Sequence, residues 1–578
     1  MTVETIASSA TNPARSRGLD LSGPLLLLAS ALLVALVVLP VGWIVVYAFS
    51  TPAGTATLGN FVTIFTDPAF QGPLLTTLTI AVSVGIICCL VAAPMGWLVA
   101  RSDMPLGGLV RTLVMASFVT PPFLGAIAWE ILVAPNSGLL NQAWRGLTGA
   151  PPGEHIFNIY SLGGVIFVIS CYTFPYVFVL VANALERIPG ELEDASAMLG
   201  APPRTTARLI TIPMALPAIL AGVLIAFLQA MNLFGSPAIL AIPAGFHTMT
   251  TKIWSLFQFP PKPELAAAAA LPLLVLTVIL LRAQRAVLGR RSYAVVGGKY
   301  GAPRPVPLGP FKWLALVFCF GLLMLPVFLP YAALFNAAFA KIPTKLVTWN
   351  TVSLQNVHFT FFELSQTWGV MRNTFLLSAL SATLGTLLAV IIAYITARKA
   401  VPGARALGFL ATAPIAIPGI VLGVGLFLSY TRPPLVLYGT LWILLIAYIT
   451  IELPAAYQQL QSAFQAVHPE LEEASRILGA SRLRSLWDIT APLLRSGVIA
   501  TWCFIFVAVV RELSAAVILF TSDTKVLSVL IFDLKESGDL GAIAVLGLMM
   551  LGLTALVIIA ANRFAGAGPG PGQVVGRG

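Results

Sequence analysis

The sequence predicts an all-α membrane protein of about twelve transmembrane helices in two homologous six-helix halves. Three observations carry this. Of 578 residues, 58% are hydrophobic and 10% charged, and the mean hydropathy is +0.92, far from the balance of a soluble domain. Apolar runs recur along the whole chain, each near or above the roughly 20 residues a helix needs to cross about 30 Å of hydrocarbon. A charged segment after the fourth run returns after the tenth.

The runs fall at 24–48, 75–100, 108–134, 161–186, 215–243 and 263–286, then at 311–339, 373–397, 405–430, 435–463, 497–520 and 539–562. Each is apolar all round, which suits a helix in lipid, whereas a barrel strand alternates and is only about ten residues long. Between the two sets lies RAQRAVLGRRSYAVVGGKYGAPRPVPLGP, basic and rich in Gly and Pro, with the composition of a flexible linker. The expected organisation is a cytoplasmic tail 1–23, a first half 24–286, a linker 287–310, a second half 311–563 and a cytoplasmic tail 564–578. The first run is too long for the apolar part of a signal peptide and lacks a clear cleavage site, so it is expected to stay as an anchor.

The formal charge of +11 suggests nucleic acid until it is assigned to successive loops. One side collects Arg15, Arg17, Arg101, Arg111, Arg187, Arg204, Arg208, Arg398 and Arg405 together with the linker's Arg282 to Lys312. The other side holds Arg145, Lys252, Lys262, Lys341, Lys345, Arg372, Arg432, Lys525 and Lys535. The positive-inside rule then puts both termini in the cytoplasm, and no nucleic-acid partner is expected. Cys88, Cys89, Cys171, Cys319 and Cys503 all lie in apolar runs without metal or disulfide spacing and read as small hydrophobes.

The repeated loops are PGELEDASAMLGAPPRTTARLITIP at 189–213 and HPELEEASRILGASRLRSLWDITAP at 468–492. Glu191, Leu192, Glu193, Ala195, Ser196, Leu199, Gly200, Ala201, Ile210, Thr211 and Pro213 recur at one constant offset, and the same offset pairs Pro175 with Pro454. Each loop begins with carboxylates, continues in helix formers and reaches a glycine, Gly200 or Gly479, so each predicts a short helix ended by a left-handed cap. A second short helical stretch, with Arg204 or Arg482, leads to Pro213 or Pro492 before re-entry into the membrane. Small residues let a partner's backbone approach closely, and the flanking charges fix its register.

This pattern resembles the EAA motif of ABC importer permeases. Asp194-Ala195-Ser196, Gly200, Ile210 and Pro213 match it, as do Glu473-Ala474-Ser475, Gly479, Ile489 and Pro492; the first copy has Asp for Glu, and Ile212 and Ala491 replace the usual Leu before the proline. The resemblance implies the type I, MetI-like permease fold of a bacterial inner membrane. It also implies that each loop is a coupling helix seated in a groove of one of two ATPase copies, with Glu191 and Glu470 at the helix starts. No GxxxxGK[ST] loop occurs, so the chain is expected to bind no cofactor and not to be an enzyme, with ATP and Mg used by separate subunits. A periplasmic solute-binding protein and membrane lipid are the other expected partners. RELSAAVILF and TKVLSVLIFDLKESGDLGAIA look like the ferric-iron branch, whose relatives also carry aminoethylphosphonate, sugar phosphate, thiamine or polyamine.

Charges inside a bilayer cost about 2.5 to 3.5 kcal/mol or more, so Glu130, Glu452, Arg511 and Glu512 stand out. Arg511 and Glu512 read as neighbours on one helix, with Glu452 as the expected partner of Arg511, while Glu130 sits near the outer end of its run, where water reaches it. The repeat places Thr173, Asn232 and Leu233 opposite Glu452, Arg511 and Glu512, so the second half is the charged one. Two readings stand: Asn232, Glu452, Arg511 and Glu512 line or gate a central pathway, or they form an ion-pair network fixing helix packing. No metal site is expected, because His155, His247, His358 and His468 are scattered without ligand spacing. Trp349, Phe359, Phe361, Phe362 and Trp368 in the loop near 340–372 read as an interfacial belt or as a ledge for a docking protein. The competing class is an ion-coupled secondary transporter, also built from twelve spans in two halves, against which the paired loops argue. A membrane enzyme would need a motif such as HExxH or GxSxG, which the chain lacks.

Overall fold

Apolar length makes the helices and proline decides where they break. A computed structural model describes residues 22–289, 305–398 and 402–565. The first half contains Pro24–Ala48 (α1), Pro68–Arg101 (α2), Gly107–Val119 (α3), Pro122–Val133 (α4), Leu162–Glu186 (α5), the short Gly190–Met198 (α6), Arg204–Asn232 (α7) and Pro263–Gly289 (α8). The second contains Phe311–Phe339 (α9), Thr367–Ala397 (α10), Ala404–Ala416 (α11), Gly419–Tyr430 (α12), Leu441–Ala466 (α13), the short Pro469–Ile477 (α14), Leu486–Val510 (α15), Leu527–Ser537 (α16) and Leu540–Ala565 (α17). Among the described residues 10 helices are long and apolar enough to cross a membrane, or 12 spans if each bent pair counts as one.

The runs 108–134 and 405–430 are therefore not straight helices: α3 and α4 meet at 97°, α11 and α12 at 111°. The breaks fall at Pro121-Pro122 and at Pro418, where missing N–H groups and pre-proline crowding stop the helix. Each bent pair still crosses from side to side. Arg111 on α3 pairs with Glu186 at the end of α5, whereas Glu130 on α4 meets Tyr160 just ahead of the start of α5. Likewise Arg398, past the end of α10, meets Glu472, while Leu437 and Tyr438, just before α13, donate to the Tyr430 carbonyl at the end of α12. Counted so, the described residues hold 12 candidate spans.

The halves interlock through their first spans. α1 and α9 each contain a π-helical turn, Val34–Val38 and Met324–Phe328, followed by Pro40 or Pro330. Leu39 N–H donates to the Val34 carbonyl, and Pro40 has no N–H to offer Ala35. The orphaned Ala35 carbonyl accepts the Tyr430 hydroxyl of the other half at 2.9 Å. Gly425 permits this approach, since a Cβ there would lie 2.9 Å from the Pro40 carbonyl oxygen. In the mirror arrangement the Tyr331 hydroxyl on α9 reaches Thr120 at 2.7 Å beside the α3–α4 bend.

Three expected boundaries move. The runs 215–243 and 497–520 end as helices at Asn232 and Val510, and short helices Gly235–Leu240 and Ala516–Leu519 follow each break. α8 runs to Gly289, past the expected linker start; 290–304 lie outside the described residues, as do 1–21, 399–401 and 566–578. The described end of the linker lies along the end of α2: Val306 N–H donates to the Arg101 carbonyl at 2.7 Å, and Leu308 N–H to the Asp103 carboxylate at 2.8 Å.

Candidate functional site: paired elbows and a polar centre

α6 and α14 end as the sequence predicts. Gly200 and Gly479 have φ of +81° and +94°, conformations that L side chains adopt at a cost. The N–H of Ala201 reaches back to the Ser196 carbonyl at 3.1 Å, and that of Ala480 to Ser475 at 3.1 Å, which ties off the last helical carbonyls. The turns leave Met198 and Leu199 89% exposed, and their repeat partners Ile477 and Leu478 84% and 89% exposed. An exposed apolar pair thus appears twice at one repeat position.

The other expected elbow residues distribute as follows. Glu191, Asp194, Ala195, Glu470, Glu473 and Ala474 are exposed around the same tips, and Arg204 is exposed on the outgoing turn. Ser196 faces inward and exchanges a hydrogen bond with Thr206 at 2.8 Å, and Ser475 is half-buried. Pro213 and Pro492 are at the first turn of the α-helical part of α7 and α15, after π-helical turns Ala207–Thr211 and Leu486–Thr490. The side chain of Arg482 lies outside the described residues.

Sequence reasoning missed how the elbows are held. In the first half Arg101, at the end of α2 with its side chain fully buried, lies 2.5 Å from Glu193 and donates to the Ile188 carbonyl at 3.2 Å, while the Thr211 hydroxyl donates to Glu193 at 2.8 Å. The second half repeats every contact. Arg398 lies 2.8 Å from Glu472 and donates to the Val467 carbonyl at 3.2 Å, and Thr490 donates to Glu472 at 2.9 Å. Each elbow is thus bolted to the end of α2 or α10 as well as continuing into α7 or α15. The signal was present: Glu193 and Thr211 are among the repeated identities, and an Ala-Arg pair closes the second and eighth apolar runs.

The intramembrane charges require correction. Arg511 and Glu512 do not share a helix; α15 stops at Val510, Arg511 is its C-cap, and Glu512 turns away to accept hydrogen bonds from the N–H groups of Ala515 and Ala516 at 3.2 and 3.4 Å. The Ser528 hydroxyl fixes the break from α16 by donating to the Glu512 carbonyl at 2.5 Å. Arg511 does not take Glu452 as its direct partner: its Nη1 donates to the Phe118 carbonyl at 2.5 Å and its guanidinium lies 5.2 Å from the Phe118 ring centre. The Tyr176 ring packs edge-on against that of Phe118 at 5.0 Å, Tyr176 and Glu452 stand within electrostatic range of Arg511, and Glu452 also of Glu512. Asn232, the repeat counterpart of Arg511, has a buried Oδ1 without a hydrogen-bond partner. Gln229 is exposed and Glu452, Arg511, Glu512 and Asn232 are partly exposed in the midst of apolar helices.

Glu130 is not a watered interfacial residue either. It is 7% exposed, pairs with Lys535 on α16 of the other half at 2.8 Å and accepts the Tyr160 hydroxyl at 2.7 Å. Burial, with the adjacent Glu130 carboxylate, pushes the Tyr160 hydroxyl well above its usual value, so it remains a donor. Of the outer aromatics, Trp349, Phe362 and Trp368 are 97%, 75% and 60% exposed. Among the described residues no group of three or more His, Cys, Asp or Glu side chains is placed to hold a metal ion.

Comparison with known proteins agrees with this architecture. The chain is 28% identical over 450 residues to the ferric transport system permease protein FbpB of Actinobacillus pleuropneumoniae, covering 76% of this chain and 63% of that protein. It is 27% identical over 417 residues to the putative ferric transport system permease protein FbpB 1 of Haemophilus influenzae, covering 71% and 64%. The chain therefore spans a little under two-thirds of the length of these two relatives. A solved bacterial ABC transporter involved in the import of the acidic polysaccharide alginate aligns with a TM-score of 0.38 and 18% identity, over 47% of this chain and 98% of that one. The description "Binding-protein-dependent transport system inner membrane component" matches residues 92–293 and again 385–567, each match holding one broken span, one clamped elbow and the re-entering helix behind it, so the chain belongs to that family as a fused pair of its domains.

Proposed function

We infer that this chain forms the membrane pathway of an ATP-binding cassette importer that receives ferric iron from a periplasmic binding protein and releases it into the cytoplasm by alternating access. The observation that carries the reading is the doubled elbow. Each has an exposed apolar tip for a partner to grip, and an Arg–Glu–Thr clamp that passes the partner's displacement to a membrane helix. Two ATPase subunits, one per elbow, supply the work, and both termini lie on their side of the membrane, where the basic loops collect. Asn232, Glu452, Arg511 and Glu512 border the route between the halves. Iron is favoured as cargo because relatives matching over 71% and more of this chain are named for ferric transport. Carboxylates on the route suit a cation passing through without a fixed metal site.

The test is uptake into vesicles holding this chain, its co-purifying ATPase and the binding protein. Ferric iron should accumulate only with ATP and binding protein together. Uptake without nucleotide, driven by an ion gradient, would replace this reading with a secondary transporter.

A further inference from the structure

We propose that Arg511 is a positioning residue of the gate: it ties the bend of the first half's broken span to the second half in this conformation, and the tie opens when the halves separate. The proposal rests on the permease reading above. The bend itself creates the acceptor. In a continuous helix the Phe118 carbonyl would receive the N–H of residue 122, but that residue is Pro122 and has none. A carbonyl orphaned at a helix C-terminus carries the negative end of the helix dipole, and a guanidinium is the strongest donor a side chain can bring to it. Arg511 can arrive only because α15 stops at Val510, leaving its last residue pointing across the interface instead of along a helix. It reaches the Phe118 carbonyl at 2.5 Å and covers the Phe118 ring at 5.2 Å, with Tyr176 packed edge-on against that ring and within electrostatic range of the guanidinium, and all of these groups lie in the other half.

The surroundings make the tie reversible. A guanidinium that lost these partners would be left unneutralised among apolar helices, yet Glu452 stands on its own half within electrostatic range and can receive it once the halves part. The arginine has no counterpart in the first half, because the repeat position there is Asn232, uncharged and with its Oδ1 unsatisfied. The gate thus carries an arginine latch on the bend of α3 and α4, beside the Thr120–Tyr331 hydrogen bond.

A pair of cysteines reads the latch directly. Thr120→Cys and Tyr331→Cys replace two hydroxyls 2.7 Å apart across the same bend, so a short bifunctional thiol reagent should join them in the resting importer, the full complex in vesicles. Adding Arg511→Gln should lower the joining rate and raise cargo-independent ATP hydrolysis, by about tenfold or more, the shift expected from losing a hydrogen bond to a charged group. Arg511→Lys should recover part of both, and Tyr176→Phe, which keeps the packing, should move both a few-fold in the Gln direction. Unchanged joining and basal hydrolysis in both Arg511→Gln and Tyr176→Phe would overturn the latch. ATP-independent uptake by the unmutated complex would instead overturn the permease reading.

Discussion

The two elbows repeat the same Arg–Glu–Thr clamp, yet they differ in where water reaches it. Arg101 is wholly withdrawn from solvent opposite a Glu193 side chain 18% exposed, whereas Arg398 and Glu472 are 9% and 13% exposed. Arg398 compensates with better geometry, using Nε and Nη2 on Glu472 at 3.0 and 2.8 Å and both terminal nitrogens on the Val467 carbonyl. The first clamp is further braced by the linker, whose Val306 lies on the Arg101 backbone. Identical chemistry placed at two depths thus gives one elbow held by exclusion of water and another held by hydrogen-bond count. The first should be the stiffer lever and the more fragile one, because a buried charge stripped of its partner has no water to fall back on.

The largest expected effect follows from that difference. Glu193→Ala leaves the fully buried Arg101 with the Ile188 carbonyl through one nitrogen and should destabilise the purified chain by about 3 to 5 kcal/mol, while Glu472→Ala should cost about 1 to 3 kcal/mol, since Arg398 is reached by water and keeps the Val467 carbonyl through both terminal nitrogens. Thermal unfolding in detergent measures both, and equal losses would abolish the distinction between the clamps. Smaller effects sharpen what the elbows share. Gly200→Val and Gly479→Val meet no neighbour within 4 Å but must hold a left-handed backbone, at about 1 to 2 kcal/mol each. Both should lower ATPase co-purification to a similar degree, and loss confined to one site would mean that a single elbow does the gripping. The smallest change in stability, within about 0.5 kcal/mol, is expected for Met198→Ser with Leu199→Ser, or Ile477→Ser with Leu478→Ser, because these side chains are already in water. Their ATPase capture should nonetheless fall several-fold in pulldown, and retention of full capture would show that the apolar tips are not the contact.

Much of this arrangement is legible in the residues alone. Unbroken apolar runs fix the helices because lipid offers no partner for a bare backbone, and the double ELED/ELEE segment fixes two elbows because its carboxylates, helix formers and glycine act within one or two turns. The breaks at Pro121-Pro122 and Pro418 were legible too, but the apolar count outweighed them and predicted straight spans.

The partners of the charged groups were not legible. Arg101 meets Glu193, Glu130 meets Lys535 and Arg511 meets Phe118 and Tyr176 across long stretches of chain, and the last two pairings cross from one half to the other. Glu452 was the natural guess for Arg511 on charge grounds; the winning acceptor is a main-chain carbonyl, invisible to any reading of side-chain types. What the sequence determined by itself is the local and periodic part: span number, repeat, elbows and capping glycines, all set by neighbours within a helix turn or two. Only the tertiary structure decided which proline-orphaned carbonyls face the other half and which charged side chain reaches them, because that depends on how two interlocked halves bring remote residues to within a hydrogen bond of each other.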